Sequence, residues 1–382
     1  MVYRLSGSTG TTGTVAFFGL LPYLVVTPFA GLLADRMPRR NLLLIVHSLL
    51  FALALSVAVL SYFDLVTVPI LGVFAVLLGI LNAFEITTRH SYFAQLIDDK
   101  NDLPNALALN SININGTRLI GPAIGGLIIA NYSETACFAL NAISYLAVIA
   151  QLKTMPVVPV AAANVGQHPI AQLLDGWRFA WRSASILPLV LTAGAVSLCL
   201  NSYTVLMPAI ATSVFGKGAA LNGILLSGVG AGALTGGILL AMRKSIRGLS
   251  TWILLTLVCA GVGAMLFAVL AQFKLAPLSF IAMAIMGFGI MGTSVCVNTI
   301  IQTVVDDAYR GRVISVYTTC FVGATPIGQL AAGWAAEHIG PLQTLMICSA
   351  ASLVVAAIYA RHLPKLKVVL SQAYKERGVA PR

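Results

Sequence analysis

Charge is scarce in this sequence, and what there is has one dominant sign. Only 9% of the 382 residues are Asp, Glu, Lys or Arg, with 12 acids against 23 bases. A soluble domain carries about a quarter charged residues; this chain has too little polar surface to cover a core in water. With 58% hydrophobic residues and a mean hydropathy of +0.92, lipid is the solvent that fits. Other absences narrow the function. No CxxC pair or His-x-x-x-His spacing accompanies Cys137, Cys199, Cys259, Cys296, Cys320 and Cys348, each of which stands singly in an apolar run. They read as small packing residues, so no metal and no disulfide framework is expected. There is no Walker-type phosphate loop, which disfavours an ATP-driven pump, and no nucleophile, base or paired-carboxylate constellation. Catalytic residues and cofactors are therefore not expected, and the chain reads as a non-enzyme. A signal peptide is lacking too: the polar Gly/Ser/Thr start runs into a long apolar stretch without a cleavage site.

What is present is apolar runs of membrane-spanning length. Windows of about 19 residues resolve eleven segments: 15–34, 42–62, 68–91, 105–130, 134–155, 187–208, 220–242, 250–271, 277–300, 313–335 and 341–361. The bases sort by side. Nineteen fall together: Arg36, Arg39, Arg40, Arg89, Lys100, Lys153, Arg178, Arg182, Arg243, Lys244, Arg247, Arg310, Arg312 and six from Arg361 onward. Arg4, Lys217 and Lys274 lie opposite, and Arg118 sits inside a span. This positive-inside pattern predicts a multi-pass protein of the inner or plasma membrane with its C-terminus in the cytoplasm. It also accounts for the net charge of +11 without nucleic acid. The expected partners are the lipid bilayer and a small-molecule substrate, with the chain a monomer.

The sequence repeats. An offset of 207 lays Gly116, Ile120, Gly121 and Gly126 on Gly323, Ile327, Gly328 and Gly333, and 208 lays Gly79, Asp98 and Asp99 on Gly287, Asp306 and Asp307. Carried backwards, Gly216 and Gly228 fall on Gly7 and Gly19, and the span 187–208 maps before Met1. The expected fold is all-α and integral to the membrane, with two pseudo-symmetric halves and eleven transmembrane helices, the first of twelve missing. A true eleven-span protein, or a first helix supplied by a partner, are the alternatives. Residues 1–155 form the first half, 156–186 a linker, 187–362 the second half and 363–382 a basic tail. In the linker Ile170, Leu173, Leu174, Trp177 and Trp181 recur at helical spacing beside Arg178 and Arg182, as in a surface helix at the membrane interface.

Two charges lie within spans, where each costs about 2.5–3.5 kcal/mol at the helix centre. Glu85 suits a proton carrier. Arg118 suits attraction of an anionic substrate or control of that carboxylate's protonation. The two pair if the helix of Glu85 continues past 91, and a purely structural ion pair is the alternative. Gly287-Phe-Gly289-Ile-Met-Gly292 is a literal GxGxxG, but it lies in a membrane span with no βαβ context and is set aside.

Gly31-Leu-Leu-Ala-Asp35-Arg36-Met-Pro38-Arg39-Arg40 resembles the loop motif of the major facilitator superfamily between its second and third helices, with Pro38 where glycine is usual. Asp35 there can pair with a neighbouring arginine, Arg89 being the candidate, and latch one conformation. Phe84-Glu85-Ile-Thr-Thr-Arg89, Pro104 to Asn110, Asn115 to Arg118 and Arg310-Gly311-Arg312-Val313 resemble the branch that contains enterobactin exporters and macrolide efflux pumps. Gly121, Pro122, Gly125 and Gly126 are similar to the antiporter motif of the fifth helix. The resemblance implies a major facilitator fold working by alternating access, with protons as coupling ion and export of a small hydrophobic or siderophore-like molecule. By the same resemblance Asn82, Asn201, Tyr203, Thr293 and Asn298, with Glu85, face the cavity. Uptake by the same fold, or a non-transporting scaffold or inactive truncated form, stand as the rival functions.

Overall fold

Inside lipid every backbone amide has to find its partner within the protein, and helices achieve this without neighbours. The computed structural model describes residues 1–382 except Asp35, 97–102, 159–168, Lys244 and 377–382, and the described residues are helical almost throughout. A short α1 (Val2–Ser6) leads into α2 (Thr9–Ala34), and α3 (Arg39–Tyr62), α4 (Val68–Gln95), α5 (Leu103–Asn131) and α6 (Glu134–Thr154) complete the first half. The linker carries α7 (Pro169–Arg182). The second half runs α8 (Ile186–Leu200), α9 (Tyr203–Ala209), α10 (Gly218–Ala241), α11 (Leu249–Gln272), α12 (Ala276–Val304), α13 (Asp307–Ile339) and α14 (Pro341–Glu376).

Among the described residues ten spans are long and apolar enough to cross a bilayer, α8 and α9 together making one of them. The eleventh expected segment is α5. It has the length, 29 residues, but Asn110, Asn113, Asn115 and Arg118 dilute its apolar character.

The repeat extends to the turns. Phe63 and Phe273 close α3 and α11 with φ −90°, ψ 7° and φ −88°, ψ 4°. Each is followed by a non-glycine residue in the left-handed region, Asp64 (φ 54°) and Lys274 (φ 55°), the only two among the described residues. Proline then occupies the first turn of both α4 and α12. Packing repeats likewise: α2 lies on α4 as α10 on α12, and α3 on α6 as α11 on α14. Between the halves, α2 packs on α13 and α5 on α10.

Hydrophobic burial is unequal. In the second half α8 packs against both α13 and α14, and Leu189, Leu200, Leu257, Phe267, Met283 and Met286 form one continuous core. No described helix packs closely on both α5 and α6 in the same way, and the described residues of the first half form only small clusters such as Ala34, Leu42, Val46 and Leu50.

Antiparallel helices gather the α2–α3, α6–α7, α10–α11 and α12–α13 connections at one arginine-rich end. There Arg40 donates to the carbonyls of Leu152 (2.7 Å) and Lys153 (2.6 Å), partners that the last turn of α6 cannot find within itself. The linker helix α7 docks on α13: Arg312 pairs with Asp175 at 3.6 Å, and Phe179 stacks on Tyr309 with ring centroids 4.7 Å apart. One boundary differs from expectation. Residues 363–376 continue α14 instead of forming a separate tail, because Leu363, Leu366 and Leu370 recur on one helix face and are buried.

Candidate functional site

Pro208 has no amide proton for the carbonyl of Thr204, and its ring crowds that carbonyl. The helix that starts at Ile186 is interrupted at Asn201 and Ser202, resumes as α9, and ends in a π turn over Ile210–Val214. Broken and bulged helices inside membrane bundles accompany ligand pathways. Side chains hold this break in place. The Asn201 amide donates to Ser197 Oγ (2.9 Å) and Thr325 Oγ1 (3.3 Å), those two hydroxyls are 2.7 Å apart, and Gln329 donates to Thr204 Oγ1 at 2.9 Å.

At the level of the break lies a cavity of about 660 Å³, the size of a small-molecule site. Its wall is built from Ile114, Arg118 and Pro122 of α5, Asn201, Tyr203 and Thr204 at the break, and Leu226, Val229, Gly230 and Ala233 of α10. Gly287, Ile290, Met291 and Ser294 of α12 and Phe321 of α13 complete it. Ser294 is bonded to the Tyr317 hydroxyl at 2.7 Å, and the Tyr317 ring stacks on Phe321. Arg118 is exposed into this space and is the one charge on the described wall. Its backbone is wedged against α10, since a Cβ at Gly230 would stand 2.6 Å from the Cα of Leu119 and closer still to the Arg118 carbonyl. A larger groove of about 830 Å³ runs past Phe18, Val73, Leu77 and Trp334. Those side chains are exposed on the bundle surface, so convergent polar groups favour the central cavity as the site.

The arginine-poor end of the bundle is closed by two glycine seams. A Cβ on Gly126 or on Gly223 would stand 2.9 Å from the other's Cα, which brings α5 against α10. On the other side of the bundle a Cβ on Gly333 would stand 2.9 Å from the Cα of Gly13, which brings α13 against α2. The seams are related by the repeat, Gly13 to Gly223 and Gly126 to Gly333. Small residues permit this approach and dispersion rewards it. Glu337 adds a polar clasp between the halves, accepting from the Ser8 hydroxyl (2.9 Å) and the Gly10 amide (3.1 Å). Trp334 donates to Thr14 at 3.3 Å beside it.

The residues singled out from sequence divide. Arg118, Pro122, Asn201 and Tyr203 line the cavity; Asn82, Glu85 and Asn298 are not on its wall. The helix of Glu85 does continue past 91, yet its carboxylate pairs with Arg89, at 2.7 Å and one turn away, and not with Arg118. Asp35, the other expected partner of Arg89, lies outside the described residues, as do Asp98 and Asp99. Thr293 is fully buried against α11, its hydroxyl 2.9 Å from that of Thr256, which removes it from the cavity. Asn298 accepts from Gln302 at 3.2 Å along its own helix. In the loop motif a Cβ at Gly31 would stand 4.0 Å from the Thr87 methyl, Arg36 is exposed, and Arg39 and Arg40 open α3. Of the fifth-helix motif Gly126 and the Pro122 carbonyl meet α10, whereas a Cβ at Gly121 or Gly125 would touch nothing within 4 Å. Thr204, Met291, Ser294 and Phe321 were not anticipated. The usable signal was Pro208, six to seven residues after the break at Asn201 and Ser202.

Comparison with known proteins agrees with this architecture. Residues 1–380 match the family described as transmembrane secretion effector. The chain is 27% identical over 368 residues to the staphyloferrin A transporter of Staphylococcus aureus, covering 94% of this chain and 89% of that one. It is 26% identical over 380 residues to the multidrug efflux pump Tap of Mycolicibacterium fortuitum (96% and 90% covered) and 25% identical over 357 residues to the enterobactin exporter EntS of Escherichia coli (92% and 80%). Among solved structures the nucleoside transporter NupG superposes with a TM-score of 0.74 at 14% identity, covering 94% of this chain and 92% of that one. A D-xylose-proton symporter superposes with a TM-score of 0.67 at 14% identity, covering 94% and 90%.

Proposed function

The chain belongs to the transmembrane secretion effector family of the major facilitator superfamily, and from that premise we propose that it exports a small hydrophobic or siderophore-like molecule in exchange for protons. The observation that carries this reading is the central cavity at the broken α8–α9, sealed toward the arginine-poor end by symmetry-related glycine seams. The relatives named as exporter and efflux pump support the direction.

With the arginine-rich end cytoplasmic, as the distribution of bases favours, the cavity is shut off from the outside. Cargo would enter from the cytoplasm. Parting of the two glycine seams and the Glu337 clasp, with approach of the opposite ends, would then release it outside. Glu85, paired to Arg89 away from the cavity wall, is the proposed proton carrier: protonation would free Arg89 and change how the arginine-rich ends meet. The loop residues Gly31, Asp35, Arg36, Arg39 and Arg40 form the proposed latch of that end.

Purified protein reconstituted into acid-inside vesicles provides the test. Proton efflux elicited by adding enterobactin or Hoechst 33342, followed with an entrapped pH dye, is the expected result. Movement of either compound without proton movement would refute the coupling, and inertness toward a panel of both chemical classes would favour a non-transporting role.

A further inference from the structure

Arg118 is the one charge on the described cavity wall, and no described residue bonds to it. A guanidinium presents a planar fork of N–H donors that matches a carboxylate or a comparable flat oxyanion. Here the root of that fork is fixed, because the Arg118 backbone is wedged against Gly230 of α10. The carboxylate best placed by sequence to neutralise it, Glu85, is bonded to Arg89 at 2.7 Å and is not on the wall. The remaining polar groups are neutral, the hydroxyls of Tyr203, Thr204 and Ser294 and the Asn201 amide, and the rest of the wall is apolar.

Three kinds of solute meet this wall differently. A cation meets like charge, and a neutral solute displaces water from the guanidinium without supplying a counter-charge. An anion with an apolar body satisfies both the fork and the apolar wall. We propose that the cavity takes an amphipathic small-molecule anion, and that Arg118 is its counter-charge and selectivity determinant. This rests on the transport function proposed above and names the class of its cargo.

The experiment uses the full chain in lipid nanodiscs and a pair of fluorescent probes that differ by one charge, dansylglycine and its uncharged amide. A charge-assisted hydrogen bond is worth roughly a ten- to hundredfold affinity difference, so the acid is expected to bind that much more tightly than the amide. Arg118→Gln should abolish the preference, bringing the acid to the affinity of the amide, and a melting temperature close to that of the unaltered protein shows the variant is folded. Arg118→Lys should keep part of the preference. Equal affinity of the two probes for the unaltered protein overturns the proposal, whatever the variants do, and so does an acid preference that survives Arg118→Gln. Vesicle transport is read separately. Loss of proton exchange with the acid preference intact would fail the exporter function and leave the anion site standing, and the opposite result would do the reverse.

Discussion

Adding one methyl group at Gly126 should loosen the closed end of the bundle, and adding one at its neighbour Gly125 should not. The Cβ of Gly126→Ala would stand 2.7 Å from the Ala219 carbonyl and 2.9 Å from the Gly223 Cα, whereas at Gly125 it meets nothing within 4 Å. Both near neighbours are backbone, so relief requires α5 and α10 to separate. Overpacking of this kind costs about 1–3 kcal/mol, which shifts a two-state equilibrium by about 5- to 150-fold toward the state in which the seam has parted. The gain in helix propensity, up to about 1 kcal/mol in water, is common to both substitutions and cancels between them. Spin labels on exposed Tyr132, at the end of α5, and on exposed Lys217, just before α10, straddle the seam. Pulsed electron–electron resonance should show a longer distance population in Gly126→Ala and the parental distribution in Gly125→Ala. Identical distributions for the two variants would refute the claim that this seam sets the closed state.

Glu337→Ala removes the acceptor of the Ser8 and Gly10 bonds, and reagents added from the arginine-poor side should then label a cysteine placed at Thr204 several-fold faster. Glu85→Gln should abolish proton-driven movement with normal membrane yield; unchanged transport would demote Glu85 to a packing role. Thr293→Val loses the bond to Thr256, at a cost of about 1 kcal/mol, so a lower melting temperature with unaltered substrate affinity is expected. Arg40→Ala leaves the Leu152 and Lys153 carbonyls without their donor; a loss of about 1–3 kcal/mol, read as reduced thermal stability in detergent, is the expected outcome.

The spans and the repeat were legible because apolar length and glycine position are local properties of the chain. What escaped was decided by partners. Gly126 and Gly333 stood out as repeat positions, but their mates Gly223 and Gly13 belong to the opposite half, and nothing in a linear comparison joins them. Glu85 was set against Arg118 across two helices, although Arg89 one turn along the same helix was the nearer cation, and the local pair prevails. Thr293 shows the same ambiguity from another side. A hydroxyl in a membrane helix is served equally well by a neighbouring helix or by a water-filled cavity, and here the neighbour is Thr256. Pro208 was the one local cue to the break at Asn201 and was not used, because hydropathy averaged over a whole span cannot register it.

The docking of α7 on α13 decides which body the linker travels with. Fastened through Asp175 and Phe179, α7 is cargo of the second half, so the leash between the two bodies is only the stretch from Met155 to the residue before Pro169. Fourteen residues drawn taut reach roughly 50 Å at most, and that tether length caps how far the two bodies can swing apart before the joint itself pulls tight.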